Sequence, residues 1–267
     1  MYDDDRRWVD SMPDAYERGL VPAVFRPFAS DLAERARRLG ASTVLELAAG
    51  TGVLTSEVLA MLPSARMIAT DLNEAMVALG AQRTPAAVWR TADAMHLPFA
   101  DDSFDLVLCQ FGVMFFPDKP AALSEVRRVL SDDGFVMLNA WGPLETHDFQ
   151  SAVVSACDRL FPDDPPKFMR SVVHRYADVD DLIADVEAGG LRVVEVEQIE
   201  LESPAPSAAE IAAGYCLGTP LRPEIEARAG KLDAVTDAVA SEIASRLNAM
   251  QRPGRMRAHV VTASAAG

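Results

Sequence analysis

Residues 43–54 read TVLELAAGTGVL, and this stretch decides the fold class. An apolar run rich in β-branched residues leads into small residues and then into two glycines, Gly50 and Gly52. A strand, a tight glycine turn and a helix in immediate succession form the architecture that binds nucleotides at the end of a parallel strand. Glycine has no Cβ, so a ligand can approach the backbone closely, and the next helix begins with free amides.

The same rhythm continues after the glycine turn. Strands are predicted at residues 43–47, 66–70, 88–91, 104–110 and 134–140. Helical spacing fills the gaps at 53–61, 73–82 and 118–130. Apolar strands that alternate with helices predict βαβ units and a parallel sheet with helices on both faces. We therefore expect an α/β, doubly wound, Rossmann-like fold.

Two segments interrupt this rhythm. Residues 141–176 contain several prolines and a helical pattern at 147–160, and residues 203–252 contain one long amphipathic helix from Ile225 to Leu247. The remaining predicted elements are a helix at 178–188 and strands at 191–201 and 256–263. Because both segments follow strands of the sheet, we expect helical inserts that form a substrate lid.

The glycine turn by itself also suits a nicotinamide oxidoreductase. The dinucleotide pattern Gly-x-Gly-x-x-Gly, started at Gly50, needs a third glycine where the chain has Thr55. Started at Ala48, it needs a glycine where the chain has Val53. The sequence therefore disfavours this alternative without removing it.

Glu46, Ala48, Gly50 and Gly52 place an acidic residue and three small ones at alternate positions. This pattern resembles the first motif of class I S-adenosylmethionine-dependent methyltransferases, with Ala48 in place of the commoner glycine. The resemblance implies a mostly parallel seven-stranded sheet with an antiparallel last strand, and S-adenosyl-L-methionine as cofactor. It also implies that Glu46 lies near the methionine amino group.

Further segments match the family in order. Asp71 and Leu72 end the second predicted strand, where a carboxylate can accept hydrogen bonds from both ribose hydroxyls. Asp93 and Ala94 follow the third. The resemblance implies that Asp93 accepts from the adenine amine and that the Ala94 amide meets the ring.

Other candidate residues are less specific. Gln110 and Phe111 end the fourth strand, and we expect them to contact the ligand. Met76 suits either adenine stacking or core packing. Asp71 has a second interpretation as a helix N-cap, although Asn73 could fill that position. Asp105 is expected to support a loop at the sheet edge.

Residues 97–105 (LPFADDSFD) and 125–134 (EVRRVLSDDG) resemble the ubiquinone/menaquinone-biosynthesis branch of small-molecule methyltransferases. We therefore expect residues 1–267 to form a single methyltransferase domain, with residues 1–40 as a helical segment over the cofactor. No catalytic residue is assigned, because direct displacement at a sulfonium methyl needs alignment more than a nucleophile. His147 is a candidate proton acceptor, and Trp141 a candidate wall of the acceptor pocket.

Composition and charge limit the classes of molecule that the chain is expected to bind. The net charge of −15 disfavours nucleic acid, whose backbone is also negative. No apolar run reaches the roughly 18 residues of a membrane span, and the amino-terminal residues do not resemble a secretory signal, so a cytoplasmic location is expected. The spacing of histidines and cysteines predicts no metal site, and buried free thiols are expected at Cys109, Cys157 and Cys216.

The sequence thus predicts methyl transfer to a small or mid-sized, substantially apolar acceptor. A non-catalytic S-adenosylmethionine-binding or regulatory module is the alternative. The acceptor, the methylated atom and the oligomeric state remain open at this point.

Overall fold

The computed structural model describes residues 12–204, 207–228 and 231–265. The chain divides into two compact units. Among the described residues, the sheet unit comprises Phe28–Trp141, Asp178–Ile199 and residues 258–265. The helical unit comprises the described residues of 12–27, Gly142–Ala177 and Glu200–Arg257. The two predicted inserts and residues 12–27 of the predicted amino-terminal segment supply the helical unit; residues 1–11, 205–206, 229–230 and 266–267 lie outside the described residues.

Seven strands form one sheet in the order β3-β2-β1-β4-β5-β7-β6. They are β1 (Thr43–Glu46), β2 (Arg66–Asp71), β3 (Val88–Thr91), β4 (Phe104–Gln110), β5 (Leu130–Trp141), β6 (Arg192–Glu202) and β7 (Arg255–Ser264). The strands β1 to β5 pair in parallel with their neighbours, and β7 is antiparallel to β5. This topology confirms the predicted fold class.

The described residues form ten α-helices. They are α1 (Met12–Gly19), α2 (Arg26–Leu39), α3 (Val53–Met61), α4 (Glu74–Arg83), α5 (Lys119–Val129), α6 (Asp148–Leu160), α7 (Val179–Ala188), α8 (Ala208–Gly218), α9 (Leu221–Glu226) and α10 (Leu232–Met250). None of the helices in this described part is long and apolar enough to cross a membrane.

The core of the sheet unit lies where α2 and α3 pack on the central strands. Leu32 of α2 and Leu54 of α3 join Val44 of β1 and Leu106 of β4, and all four side chains are fully buried. Burial of an aliphatic side chain of this size stabilises the fold by about 1.5–3 kcal/mol. This packing positions the strand ends that carry the predicted site.

The sheet order reverses between β1 and β4. The chain builds outward from β1 to β3 and then returns to β4 on the other side of β1. Open α/β sheets bind ligands outside the carboxyl ends of the strands at such a reversal. The glycine turn after β1 therefore lies at the binding position that the topology predicts.

The prediction of one long helix from Ile225 to Leu247 is wrong. Two helices, α9 and α10, occupy that region, although the three-to-four apolar spacing continues through both. The Arg228 side chain donates to the Glu224 carbonyl at 2.7 Å and to the Asp164 carbonyl at 2.6 Å, so it holds the chain where α9 ends.

The helix α8 is absent from the sequence-based prediction. Its amino end is a capping box, in which Ser207 and Glu210 each bond the other's backbone amide. The pattern Ser-x-x-Glu was readable in the sequence and predicts a helix start. On the carboxyl half of α8, Gly218 lies against the backbone of Tyr16 in α1, where no Cβ would fit.

Candidate active site

The glycine turn after β1 is in a left-handed backbone conformation. Its φ angles are +51° at Ala48, +55° at Gly50 and +88° at Gly52. A Cβ on Gly52 would lie 2.8 Å from the Trp89 indole, whereas one on Gly50 would meet no atom within 4 Å. Gly52 is therefore required by packing, and Gly50 faces open space that a ligand can enter.

Ala48 is the position where the motif departs from the common glycine. Its positive φ is unfavourable for a residue with a Cβ, by about 1–2 kcal/mol. The Ala48 Cβ also lies close to Gly112, since a Cβ added there would approach it to 2.5 Å. Strained backbone is therefore present in the turn that is predicted to hold the cofactor.

Asp71 ties the end of β2 to the glycine turn. Its Oδ2 accepts from the Gly50 amide at 2.8 Å, and its Oδ1 accepts from the Asn73 amide at 2.9 Å. The N-cap of α4 is Asn73, whose side chain accepts from the Ala75 and Met76 amides. The N-cap interpretation of Asp71 is therefore wrong.

Two apolar candidates near Asp71 differ in exposure. Leu72 is 49% exposed, which leaves it accessible to a planar ligand group. Met76 is only 4% exposed and packs in the interior. Core packing is thus observed for Met76, and its contact with adenine stays a prediction.

Glu46 is a buried carboxyl group at the end of β1. It is 2% exposed, and its Oε2 accepts from the Thr55 hydroxyl at 2.6 Å. Burial raises the pKa of Glu46 to about 8, which the Thr55 hydrogen bond partly offsets and the negative charge of Asp71 increases. The side chain is therefore mostly protonated at neutral pH in the cofactor-free protein.

Asp93 and Ala94 lie on a separate turn after β3. The Asp93 Oδ1 accepts from the Met95 amide at 2.8 Å, and the Asp93 carbonyl accepts from the His96 amide at 2.9 Å. The Asp93 side chain is 48% exposed and Ala94 is partly buried. This carboxylate is accessible, and its hydrogen bond to the Met95 amide lies within its own turn.

The end of β4 carries a second unusual backbone position. Phe111 has a φ of +51°, and its amide donates to the Asn139 side-chain oxygen at 2.9 Å. Asn139 lies opposite Gln110 in the β4–β5 register and is buried. Asn139 was not predicted, although one amide within the apolar run of β5 was a readable signal.

Phe111 belongs to a buried aromatic cluster at the carboxyl ends of β4 and β5. Its ring stacks on Trp141 with a centroid distance of 3.4 Å and an interplanar angle of 6°. Phe28 packs edge-on against both rings, with centroid distances of 5.3 Å and 5.2 Å. This edge of the sheet is therefore apolar around β4 and β5 and acidic around β1 to β3.

Asp105 lies at the opposite edge of the sheet. Its Oδ2 accepts from the Ser42 and Thr43 amides, each at 3.0 Å. The expected role as support for the loop before β1 is confirmed.

The three cysteines and the side chains that could bind a metal are considered together. Cys109, Cys157 and Cys216 are buried and free, as expected. No group of three or more His, Cys, Asp or Glu side chains within the described ranges is arranged to hold a metal ion.

Comparison with known proteins connects this geometry to a family. A family model described as "Methyltransferase domain" matches residues 45–138. The ubiquinone/menaquinone biosynthesis C-methyltransferase UbiE of Cupriavidus metallidurans is 34% identical over 168 residues, covering 57% of this chain and 68% of that protein. The chain belongs to the class I S-adenosylmethionine-dependent methyltransferases. The predicted family and its cofactor are thereby confirmed.

Two further proteins resemble this chain to different extents. The malonyl-[acyl-carrier protein] O-methyltransferase of Halorhodospira halophila is 32% identical over 185 residues, covering 66% of this chain and 57% of that protein. The chain thus matches little more than half of that relative. A Haemonchus contortus phosphoethanolamine N-methyltransferase, solved with S-adenosyl-L-methionine, is 16% identical with a TM-score of 0.59, covering 97% of this chain and 58% of that one. At this identity the likeness shows the fold alone.

The residues present fit the cofactor of the class I methyltransferases. The Gly50 side of the turn is open, as a closely approaching ligand requires. Carboxyl groups stand at or just beyond the ends of β1, β2 and β3, namely Glu46, Asp71 and Asp93. An ammonium, a ribose diol and an adenine amine all donate hydrogen bonds, and carboxylates accept them.

Proposed function

We propose that this chain transfers a methyl group from S-adenosyl-L-methionine to a small or mid-sized, substantially apolar acceptor by direct displacement. The observation that carries the acceptor class is the aromatic cluster of Phe28, Phe111 and Trp141 at the carboxyl ends of β4 and β5. These rings are 0–5% exposed, so they give this edge of the sheet an apolar interior, and apolar surroundings of a ligand site favour an acceptor with an apolar body.

The cofactor assignment divides the site by chemistry. Glu46 faces the methionine ammonium, Asp71 the ribose hydroxyls, and Asp93 with the Ala94 amide the adenine ring. Gly50 allows close approach, Gly52 makes room for the Trp89 indole within the same turn, and Ala48, Leu72, Met76, Gln110 and Phe111 complete the contacts. The bound cofactor supplies an electrophilic methyl on a positive sulfur, so the chain has to bind, orient and exclude water.

The charge of the chain supports a small acceptor. With a net charge of −15, the chain repels polyanions such as nucleic acid. The curated relatives include proteins named for a quinone pathway and for an acyl-carrier protein substrate. A low-molecular-weight, apolar acceptor agrees with the relative named for a quinone pathway and with the aromatic cluster.

The test is a screen with methyl-labelled cofactor. The purified chain is incubated with the labelled cofactor and a metabolite extract, and the products are separated into organic-soluble, aqueous and protein fractions. We expect label in an organic-soluble compound of low mass, and much less of it with an Asp71→Ala variant at a cofactor concentration that half-saturates the unaltered protein. Label in the protein fraction would make a peptide the better acceptor. Cofactor binding without transfer to any fraction would favour the non-catalytic module.

A further inference from the structure

The motif at residues 125–134 has no role in the proposed site so far. Two of its side chains, Glu125 and Arg128, are one helical turn apart on α5 and reach the loop that follows Asp93. That loop includes residues 97–103 of the other segment that resembles the same methyltransferase branch, residues 97–105, whose last two residues begin β4.

Arg128 uses its whole guanidinium on this loop and on Glu125. Nη1 donates to the Phe99 carbonyl and to Asp101 Oδ1, each at 2.8 Å. Nη2 donates to the Leu97 carbonyl at 3.0 Å and to Glu125 Oε2 at 2.7 Å, and Nε donates to Glu125 Oε1 at 2.8 Å. All five N–H groups of an arginine are thereby used, which no other side chain can reproduce.

Glu125 completes the arrangement from the same helix. Its Oε2 also accepts from the Leu97 amide at 2.8 Å. Leu97 is therefore held at its amide by Glu125 and at its carbonyl by Arg128, while its side chain is 5% exposed. We call Glu125 and Arg128 the α5 clamp.

The clamp fixes one end of the turn that carries Asp93 and Ala94. The other end is fixed because the Ala92 amide donates to the Asp71 carbonyl at 3.1 Å. Residues 93–96 thus lie between two anchors, one on the ribose acid and one on the clamp. A short turn held at both ends keeps its carboxylate and amide in one geometry, which lowers the entropic cost of binding a ligand.

We propose that Glu125 and Arg128 are positioning residues for the adenine end of the cofactor. This inference rests on the proposed assignment of Asp93 and Ala94. The clamp does not touch the ligand; it holds the turn so that Asp93 accepts from the adenine amine while the Ala94 amide donates to the ring nitrogen beside it.

The test compares two ligands that differ only in the base. S-adenosylhomocysteine carries adenine, and S-inosylhomocysteine carries hypoxanthine, which has a carbonyl oxygen and an N–H at the two positions that Asp93 and Ala94 read. Arg128→Lys keeps the positive charge but loses the planar guanidinium with its five N–H donors. We expect it to weaken S-adenosylhomocysteine binding by about 5- to 20-fold and to leave S-inosylhomocysteine within about twofold, both measured by calorimetry.

Matched variants separate positioning from general damage. Arg127→Lys makes the same change one residue away and should leave both affinities unchanged. Glu125→Gln should reproduce the selective loss if Arg128→Lys does not fold. In an Asp93→Ala background, Arg128→Lys should weaken S-adenosylhomocysteine binding by a smaller factor than in the unaltered protein, because only the Ala94 contact still depends on the clamp.

Each result has a fixed meaning. An equal loss for both ligands, or no loss, overturns the positioning role while leaving the cofactor site intact. If the unaltered protein binds neither ligand, the proposed function fails together with this inference.

Discussion

The raised pKa of Glu46 predicts that cofactor binding releases a proton. Its carboxyl group is buried, with Thr55 as a hydrogen-bond donor, and has a pKa of about 8 in the cofactor-free protein. At pH 7 such a group is ~0.9 protonated. An ammonium beside the carboxyl favours the charged form and lowers its pKa again. If the pKa returns to its ordinary value, ~0.9 proton is released for each cofactor bound at pH 7.

Calorimetry measures this number directly. Titrations of S-adenosylmethionine in buffers of different ionisation enthalpy, such as phosphate and Tris, give the released protons as the slope of the observed heat. Linkage also requires that affinity rise with pH, by up to about tenfold per unit below pH 8, and level off above it. The same shift affects folding. Because the pKa of Glu46 is higher in the folded chain than in the unfolded chain, Glu46 contributes stability that is fully present below its unfolded pKa and is lost as the pH rises through about 8.

Glu46→Gln removes the titrating group and keeps the shape. It should release no proton, bind the cofactor with little pH dependence, and resist unfolding better than the unaltered chain above pH 8. Glu57→Gln, which removes a carboxylate from the same α3 helix as Thr55, should leave the proton count unchanged. A count near zero in the unaltered chain, or an equal count in Glu46→Gln, would refute the reasoning.

Three further predictions follow from the geometry. Asp71→Ala should weaken S-adenosylmethionine binding by about 1.5–3 kcal/mol, the scale of hydrogen bonds to a charged group. Asp105→Ala, which removes a similar backbone-bonded carboxylate at the opposite edge, should lower stability without changing affinity. If calorimetry gives Asp71→Ala the same affinity as the unaltered protein, the ribose assignment is contradicted. Ala48→Gly should raise the free energy of unfolding by about 0.5–1 kcal/mol because it relieves a positive φ, and a lower value in urea titrations would show that the strain is absent. Burial lowers the pKa of His147 to about 2 and that of His174 to about 4, so both stay neutral in the fold while the unfolded chain takes up protons below about pH 6.5. Stability should therefore fall by up to about 1.4 kcal/mol per pH unit for each histidine from pH 6.5 down to about 4. His174→Asn should reduce this pH dependence, measured by urea titrations at pH 5 and 7. A reduction of the same size in a variant of the exposed His96 would show that the buried histidines are not its source.

Much of the fold follows from local pattern. The predicted strands at 88–91 and 104–110 match β3 and β4 at both ends, and the helix at 53–61 matches α3. Apolar strands buried on both faces and helices with a three-to-four spacing are local signals, so they can be read without tertiary contacts. One exception is α9 and α10, where the apolar spacing runs through a break at which the Arg228 side chain donates to the distant Asp164 carbonyl. The other is α8, whose capping box was present in the sequence but not used to predict it.

The cofactor family was also readable, because the acid and the small residues of the first motif are adjacent in sequence. Tertiary structure decided everything that depends on partners from other elements. Only it shows that Asp71 bonds the Gly50 amide, that Glu46 is buried enough to hold a proton, and that Arg128 reaches Leu97. Hydrogen-bond partners and desolvation depend on which segments are in contact in the folded chain. A single sequence gives the residue types but not these tertiary contacts.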